Sequence, residues 1–465
     1  MIHLSKGFKL AAGVLIGILL PAATWAVQAP APTPIPTQPV KVVGAFFAEW
    51  DIYGANFHLG DVQAKGSAAN LNQIYYAFAK VTPAGCAIAD QWADYQIGFS
   101  AAQAVDGIAD PPYNWSGVGT PVLNGNFNQL LELKALHPGL KVMISLGGAT
   151  GSAAFSQAAS TAAMRHAFVA SCIDLFIKGD LLSQDYSSGI FPGIFDGIDV
   201  DWETPGDANS IAPGTSADTV NFTALLMEFR NQLNAQGAAD SKQYLLTAEL
   251  PAGPQNYSNI DLPTISEYAL LDYYNVLAYD YSGSWDTMTG ILAPLYSPSW
   301  SPVGAQLSID QTIQAYLAGN VPSWQINMGM PLYATGWSGA SSGYNGGFPT
   351  GLYQAGTPLG TMNYGMLEPS PGVYPPGFTL GRDGTSQAPS LYNPATGTFW
   401  SFDDTTSIQY KNGYVQSCQA PLAGEVAWEL SGDDSAGTLV SAMAGLNAPG
   451  AGCSSGGAPP VESVD

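Results

Sequence analysis

Basic residues are scarce in this chain. Thirteen Lys and Arg stand against 36 Asp and Glu in 465 residues, a formal net charge of −23. Polyanion binders need the opposite balance, so nucleic acid and anionic membrane surfaces are excluded as partners, while a neutral or cationic polymer is not. Histidine and cysteine are also sparse, with four of each. The histidines (His3, His58, His137, His166) do not cluster and no Cys-x-x-Cys pair occurs, so neither a metal nor another cofactor is expected. No apolar run reaches the ~20 residues that span a membrane. The run Leu10–Leu20 follows Lys6 and Lys9, is broken by Pro21 and precedes Thr24-Trp25-Ala26. That is the pattern of a secretory leader over residues 1–26, and it predicts an exported protein. In that setting Cys86, Cys172, Cys418 and Cys453 allow up to two disulfides. Three connectivities are open, with Cys418–Cys453 preferred because it closes a C-terminal loop.

Aromatic residues are plentiful: 23 Tyr, 18 Phe and 11 Trp, within a hydrophobic fraction of 46%. This supports a large core and leaves rings over for stacking on sugars. Residues 27–40 are rich in Pro, Thr and Ala and read as an extended linker. From Lys41 onward short apolar strands alternate with helical stretches. The strand candidates are Val42–Trp50, Gln73–Val81, Lys141–Gly147, Gly193–Glu203, Tyr244–Leu250, Tyr274–Tyr281, Gln325–Pro331 and Gly424–Leu430. Helical patterns include Asn126–Leu136, Thr161–Leu175 and Asp218–Gln236. Eight such repeats predict an α/β protein, a (β/α)8 TIM barrel over 41–337 and 399–448. An open doubly wound sheet is the alternative, but no Gly-x-Gly-x-x-Gly turn follows the first strand. Residues 338–398, rich in Gly, Pro, Tyr and Ser, are expected to form a small α+β insertion between strands seven and eight. Residues 449–465 read as a disordered tail. A monomer is expected.

The most informative segment is Phe195–Glu203, which sets Asp196, Asp199, Asp201 and Glu203 among apolar residues in a chain that is only 11% charged. Acids and apolar residues alternate at period two, so on a strand Asp199, Asp201 and Glu203 share one face. Carboxylates stacked at roughly 6–7 Å cannot all ionise normally, and one should hold a proton near neutrality, as a general acid must. Asp196 is out of phase and is expected to bond structurally. An acidic edge strand, or an oxygen-ligand site for Mg²⁺ or Ca²⁺, stays open at this point.

Further motifs lie at strand ends: Ser145-Leu-Gly-Gly148, Leu277-Ala-Tyr279-Asp280 and Glu425-Val-Ala-Trp428-Glu429, with Pro331-Leu-Tyr333-Ala-Thr-Gly-Trp337 and Glu49-Trp50 as weaker ones. Together with Asp196–Glu203 they give the chain, from Val42 to Leu446, a resemblance to the family 18 glycoside hydrolases, of the bacterial chitinase A type with an insertion domain. That resemblance implies retaining hydrolysis of β-1,4-linked N-acetylglucosamine, with chitin or chito-oligosaccharide as partner and the substrate's acetamido group as nucleophile. It implies Glu203 as acid and base, Asp201 orienting the acetamido group, Asp199 sharing a proton or hydrogen bond with Asp201, and Tyr279 bonding the acetamido carbonyl. It also implies Asp280 and Trp428 as sugar contacts. Trp50, Trp115 and Trp337 are candidate stacking residues, and Tyr333 and Arg382 candidate contacts. Three departures from the pattern stand out: Leu277 in place of Met, Ala149 in place of a Trp, and Phe46 in place of a Tyr. An endo-β-N-acetylglucosaminidase acting on other acetamido glycans and a non-catalytic chitin-binding lectin are the alternatives.

Overall fold

The structure, a computed structural model, describes residues 40–114, 122–181, 191–298, 306–342, 351–417 and 419–448. The leader, most of the linker, the C-terminal tail, Trp115, Cys418 and Cys453 lie outside the described residues.

Eight parallel strands close into a barrel: β1 (Val42–Ala48), β2 (Gln73–Thr82), β3 (Lys141–Gly147), β4 (Gly197–Asp201), β5 (Leu245–Pro251), β6 (Tyr273–Leu277), β7 (Ile326–Pro331) and β8 (Gly424–Trp428). Each pairs with the next, and β8 returns to β1. Closure leaves no edge, and the period-two alternation divides each strand between two environments. Outward residues such as Val43, Ile74, Ile144, Val200, Leu246 and Val276 are fully buried under the surrounding helices. Gly125–Leu136, Ala162–Cys172 and Asp218–Asp240 are three of those helices. Their Phe127, Phe168 and Phe222 join the same core.

Inward residues are of another kind. Val42, Phe46, Tyr75, Met143 and Val426 form a cluster inside the barrel, and polar side chains bond to one another beside it. The Tyr75 hydroxyl donates to Gln73 Oε1 (2.7 Å), Asn327 Nδ2 to Asn275 Oδ1 (2.8 Å), and Asn275 Nδ2 to Glu249 Oε1 (2.7 Å). Such bonds offset much of the cost of burying these polar groups.

After β7 the chain builds a separate antiparallel sheet of five strands. Their order is Thr357–Asn363, Tyr333–Ser338, Thr398–Ser401, Pro389–Asn393, Thr379–Arg382. Its first strand starts at Tyr333, five residues ahead of the point where the Gly/Pro-rich composition begins, because the apolar Tyr333–Trp337 segment is itself a strand. Trp337, Tyr392 and Phe399 form a core beneath this sheet that is distinct from the barrel's. A disulfide joins Cys86, in a short strand hairpinned to β2, to Cys172 at the end of helix Ala162–Cys172.

Candidate active site

Strand register builds the site in layers. Asp199 on β4 is aligned with Ser145 on β3 and Thr247 on β5. Both hydroxyls donate to it, Ser145 Oγ to Oδ2 and Thr247 Oγ1 to Oδ1, each at 2.6 Å. Burial pushes the Asp199 carboxyl up to about 6 against the pull of these two bonds.

Asp201 lies one layer higher, level with Gly147. The Gly147–Gly148 turn must pass beneath it. Both glycines have positive φ, and a Cβ on Gly148 would come within 2.6 Å of the Phe78 ring. Gly148 N–H and Ser152 Oγ both donate to the Asp201 carbonyl, at 3.0 and 2.8 Å. The Asp201 side chain is buried, and its Oδ1 has no hydrogen-bond partner among the described atoms. Burial first, then the charges of Glu203 and Asp199, hold this carboxyl well above the ordinary range.

Glu203, two residues past the end of β4, opens onto the cleft. Its carboxyl is pushed up to about 7, by burial first and then by the negative charge of Asp280. Such a group is protonated over the acidic range and ionises near neutrality, the behaviour of a general acid that later serves as base.

Tyr279 and Asp280 follow β6. Asp280 takes a left-handed backbone conformation (φ 58°) at the rim and accepts a hydrogen bond from the Tyr333 hydroxyl at 2.6 Å. Tyr279 packs edge-on against Tyr333, their ring centroids 6.2 Å apart.

The resulting cleft, about 570 Å³, is lined by Asp201, Glu203, Tyr279, Asp280 and Tyr333 on its polar side. Phe46, Phe78, Trp50, Trp285 and Trp428 line its aromatic side. Trp428 stacks on Phe78 (5.8 Å, 18°) with Phe46 behind it at 5.1 Å, so its face is fixed. A smaller adjoining hollow of about 270 Å³ extends past Trp285, Tyr333 and Trp428 toward the second sheet, reaching Thr361 and Asn363. Concavity, aromatic faces and a few convergent polar groups suit a sugar chain.

Some expected site residues lie elsewhere. Trp337 is fully buried in the core of the second sheet, its Nε1 donating to the Asp286 carbonyl at 2.9 Å. Four residues of strand, roughly 13 Å, carry it away from Tyr333 and the cleft. Arg382 sits on the far edge strand, where its guanidinium bonds Asp404 and the Gln387 carbonyl, so it braces the second sheet and does not line the cleft. Asp196 is the structural residue its phase implies, accepting from Val142 N–H at 3.0 Å and pairing with Lys134 at 2.7 Å.

Two site residues escape the sequence reading. Trp285, 64% exposed on the cleft wall, sits in an irregular turn held by Ser282 Oγ donating to Asp286 Oδ2 at 2.7 Å. Glu249 follows Ala248, the partner of Val200, and so stands level with Asp201. It is buried, and burial together with the charges of Asp199, Asp201 and Glu203 holds its carboxyl up. A lone acid in the apolar run Leu245–Leu250 was the available signal. Among the described residues, no group of three or more His, Cys, Asp or Glu is arranged to hold a metal ion, and no helix is long and apolar enough to cross a membrane.

The profile of Glycosyl hydrolases family 18 matches residues 42–433. The chain belongs to that family. Chitinase A1 of Niallia circulans is 31% identical over 455 residues, covering 92% of this chain and 60% of its own length. Chitinase C of Streptomyces lividans is 32% identical over 401 residues, covering 85% of this chain and 58% of its own. This family 18 chain therefore spans about three fifths of the length of these curated relatives. Among solved structures, the catalytic domain of psychrophilic chitinase B from Arthrobacter TAD20 superposes with a TM-score of 0.77 at 34% identity, over 90% of this chain and 98% of that one.

Proposed function

We propose that this protein is an exported chitinase that hydrolyses β-1,4-linked N-acetylglucosamine with retention, using the substrate's own acetamido group as nucleophile. The observation that carries the reading is the bare Oδ1 of Asp201, buried between Asp199 and Glu203. A buried carboxyl oxygen without a partner is costly and invites a donor from a ligand. An acetamido N–H supplies one, and the Tyr279 hydroxyl on the facing wall can hold the acetamido carbonyl. In a two-carboxylate glycosidase the second acid would itself attack the anomeric carbon. Here Asp201 stands deep in the barrel with a raised affinity for protons, which suits steering better than attack.

The steps follow from this arrangement. Glu203 gives its proton to the glycosidic oxygen, and the C–O bond to the leaving sugar breaks. The acetamido carbonyl oxygen bonds to the anomeric carbon from the opposite face, giving a cyclic oxazolinium ion. Asp201, backed by Asp199, stabilises the positive nitrogen. Ionised Glu203 then takes a proton from water, whose oxygen opens the ring and restores the original configuration. Trp428, Trp50 and Trp285 offer faces for neighbouring sugars. The leader pattern in residues 1–26 supports export. The Ser338–Thr398 stretch, raising one wall of the cleft, favours linear chitin over branched glycans.

Release of a chromophore from a chitobiose aryl glycoside tests the reading. Wild type should be active, and Glu203→Gln should lose activity by at least about 10²-fold, the scale of a general acid. An inactive wild type removes the enzyme reading, and an undiminished variant removes Glu203 from its role. Cleavage of glycoproteins but not of chitin oligomers would transfer the activity to other acetamido glycans.

A further inference from the structure

Trp50 and Trp428 line one end of the cleft with ring centroids 6.5 Å apart. They come from opposite ends of the chain. Trp50 sits in the short helical turn Glu49–Ile52 after β1, and Trp428 is the last residue of β8. Their indoles face the cleft, and the acids beside them turn into the protein. Asp51 is only 5% exposed, and its carboxyl meets that of Glu429, the residue after Trp428. Both Glu429 oxygens already accept from Ser431, Oε2 from the N–H (2.8 Å) and Oε1 from the hydroxyl. Two carboxyls in contact need a proton between them, and Asp51, held up by burial and then by the charge of Glu429, is the one that carries it. Asp51 Oδ2 is buried and has no hydrogen-bond donor among the described atoms. On the other side of Trp50, Glu49 meets Asp94 in the same way, Asp94 being fixed by the Tyr76 hydroxyl at 2.5 Å.

We propose that Asp51 is a positioning residue of the substrate cleft: the proton it shares with Glu429 ties the turn bearing Trp50 to the strand end bearing Trp428 and sets the spacing of the two indoles. The assignment rests on the sugar-binding reading of the cleft. Two carboxylates in contact repel, so the tie exists only while one proton is held. The groups that face Asp51 are Glu429 and the Ser431 hydroxyl. Those that face Glu49 are Asp94, Asp90 and Lys80, with Tyr53 and Tyr76 nearby. Lys80 is the one cation in this set, and it acts on Glu49 alone. Burial, then the Glu429 charge, pushes the Asp51 carboxyl up to about 8, so the tie is intact in acid and at neutrality and opens above that.

The test compares wild type, Asp51→Asn and Asp51→Ala from pH 5 to 9.5. The asparagine keeps a donor toward Glu429 at every pH, and the alanine has none. Wild-type KM for a chito-oligosaccharide should be level in acid and rise about three- to tenfold through pH 8, the value of one aromatic contact. In Asp51→Asn it should stay level, and in Asp51→Ala it should be high throughout. Identical KM profiles for wild type and Asp51→Asn overturn the proposal. A second measurement uses no substrate. The near-ultraviolet circular dichroism of wild type should change through about pH 8. That change should be absent from Asp51→Asn and from Trp50→Phe, and its persistence in Asp51→Asn also overturns the assignment. Failure to cleave any oligosaccharide bears on the proposed function, while this spectroscopic arm still decides the role of Asp51.

Discussion

The proton affinity of Glu203 is set in part from across the cleft, and that part can be measured. Burial is the larger cause of its rise to about 7, and the charge of Asp280 is the second. Asp280→Asn keeps the shape and the oxygen that Tyr333 bonds but removes the charge. For carboxylates about 6 Å apart at an effective dielectric of about 20, the Coulomb energy is about 3 kcal/mol, equivalent to about 2 pH units. Asp280 opens onto the cleft, where water screens its field. The expected effect is therefore about half that, a fall of roughly 1 unit in the Glu203 pKa.

In the proposed mechanism Glu203 acts as the acid in its protonated form, so its pKa should set the alkaline limb of kcat/KM, which reports the free enzyme. That limb should lie near pH 7 in wild type and move about 1 unit toward acid in Asp280→Asn, whatever happens to the height of the profile. Tyr333→Phe supplies an internal control. Losing the 2.6 Å bond makes Asp280 harder to ionise, so the limb should move the same way by less. Combined with Asp280→Asn it should add nothing further. A limb that stays in place, or moves toward alkali, in Asp280→Asn refutes the electrostatic account of Glu203.

Stability should also fall as pH rises. Glu49, Asp51, Asp94 and Asp199 all have carboxyls raised in the folded state, chiefly by burial. Between about pH 4 and 8 the folded chain holds protons that the unfolded chain has released, so each fully coupled group costs up to about 1.4 kcal/mol of stability per pH unit. Calorimetry should find the highest Tm near pH 4 and a steady decline toward pH 8, and a Tm rising over that interval contradicts the assignment. Trp285 and Trp337 should separate cleanly. Trp285→Ala is expected to raise KM about three- to tenfold at unchanged Tm. Trp337→Ala should cost about 3–5 kcal/mol of stability, read by denaturant unfolding.

The barrel and its acids were legible because closure imposes a simple rule on each strand. Outward residues must be aliphatic to meet the helices, and inward ones near the rim are free to be polar, so Asp199 and Asp201 fall in phase on a strand otherwise made of Ile198 and Val200. Such a pattern reveals the face but not the neighbour. That Ser145 and Thr247 flank Asp199 depends on register between strands, which no local period encodes. The same gap hid Asp51 and Glu429, which are adjacent in space only because β1 closes on β8. Glu249 was visible as an isolated acid in an apolar strand, yet its importance comes from the layer it shares with Asp201.

Trp337 and Trp285 show how misreading one residue and missing another can have a single cause. Trp337 shares a strand face with Tyr333, so sequence proximity suggested a shared cleft, but the strand leaves the barrel and takes Trp337 into the second core. From there its indole N–H holds the Asp286 carbonyl, and the Asp286 carboxylate holds Ser282 Oγ and Gly283 N–H. That turn presents Trp285 to the cleft, with Gly283 so close that a Cβ there would come within 2.5 Å of the Trp285 ring. The second sheet thus contributes to the site twice, supplying Tyr333 and supporting Trp285. A substitution that keeps an aromatic ring at position 337 but removes the N–H, Trp337→Phe, should therefore loosen Trp285 and raise KM while kcat holds. Unchanged KM in a folded Trp337→Phe protein would break the link between the second sheet and the cleft wall.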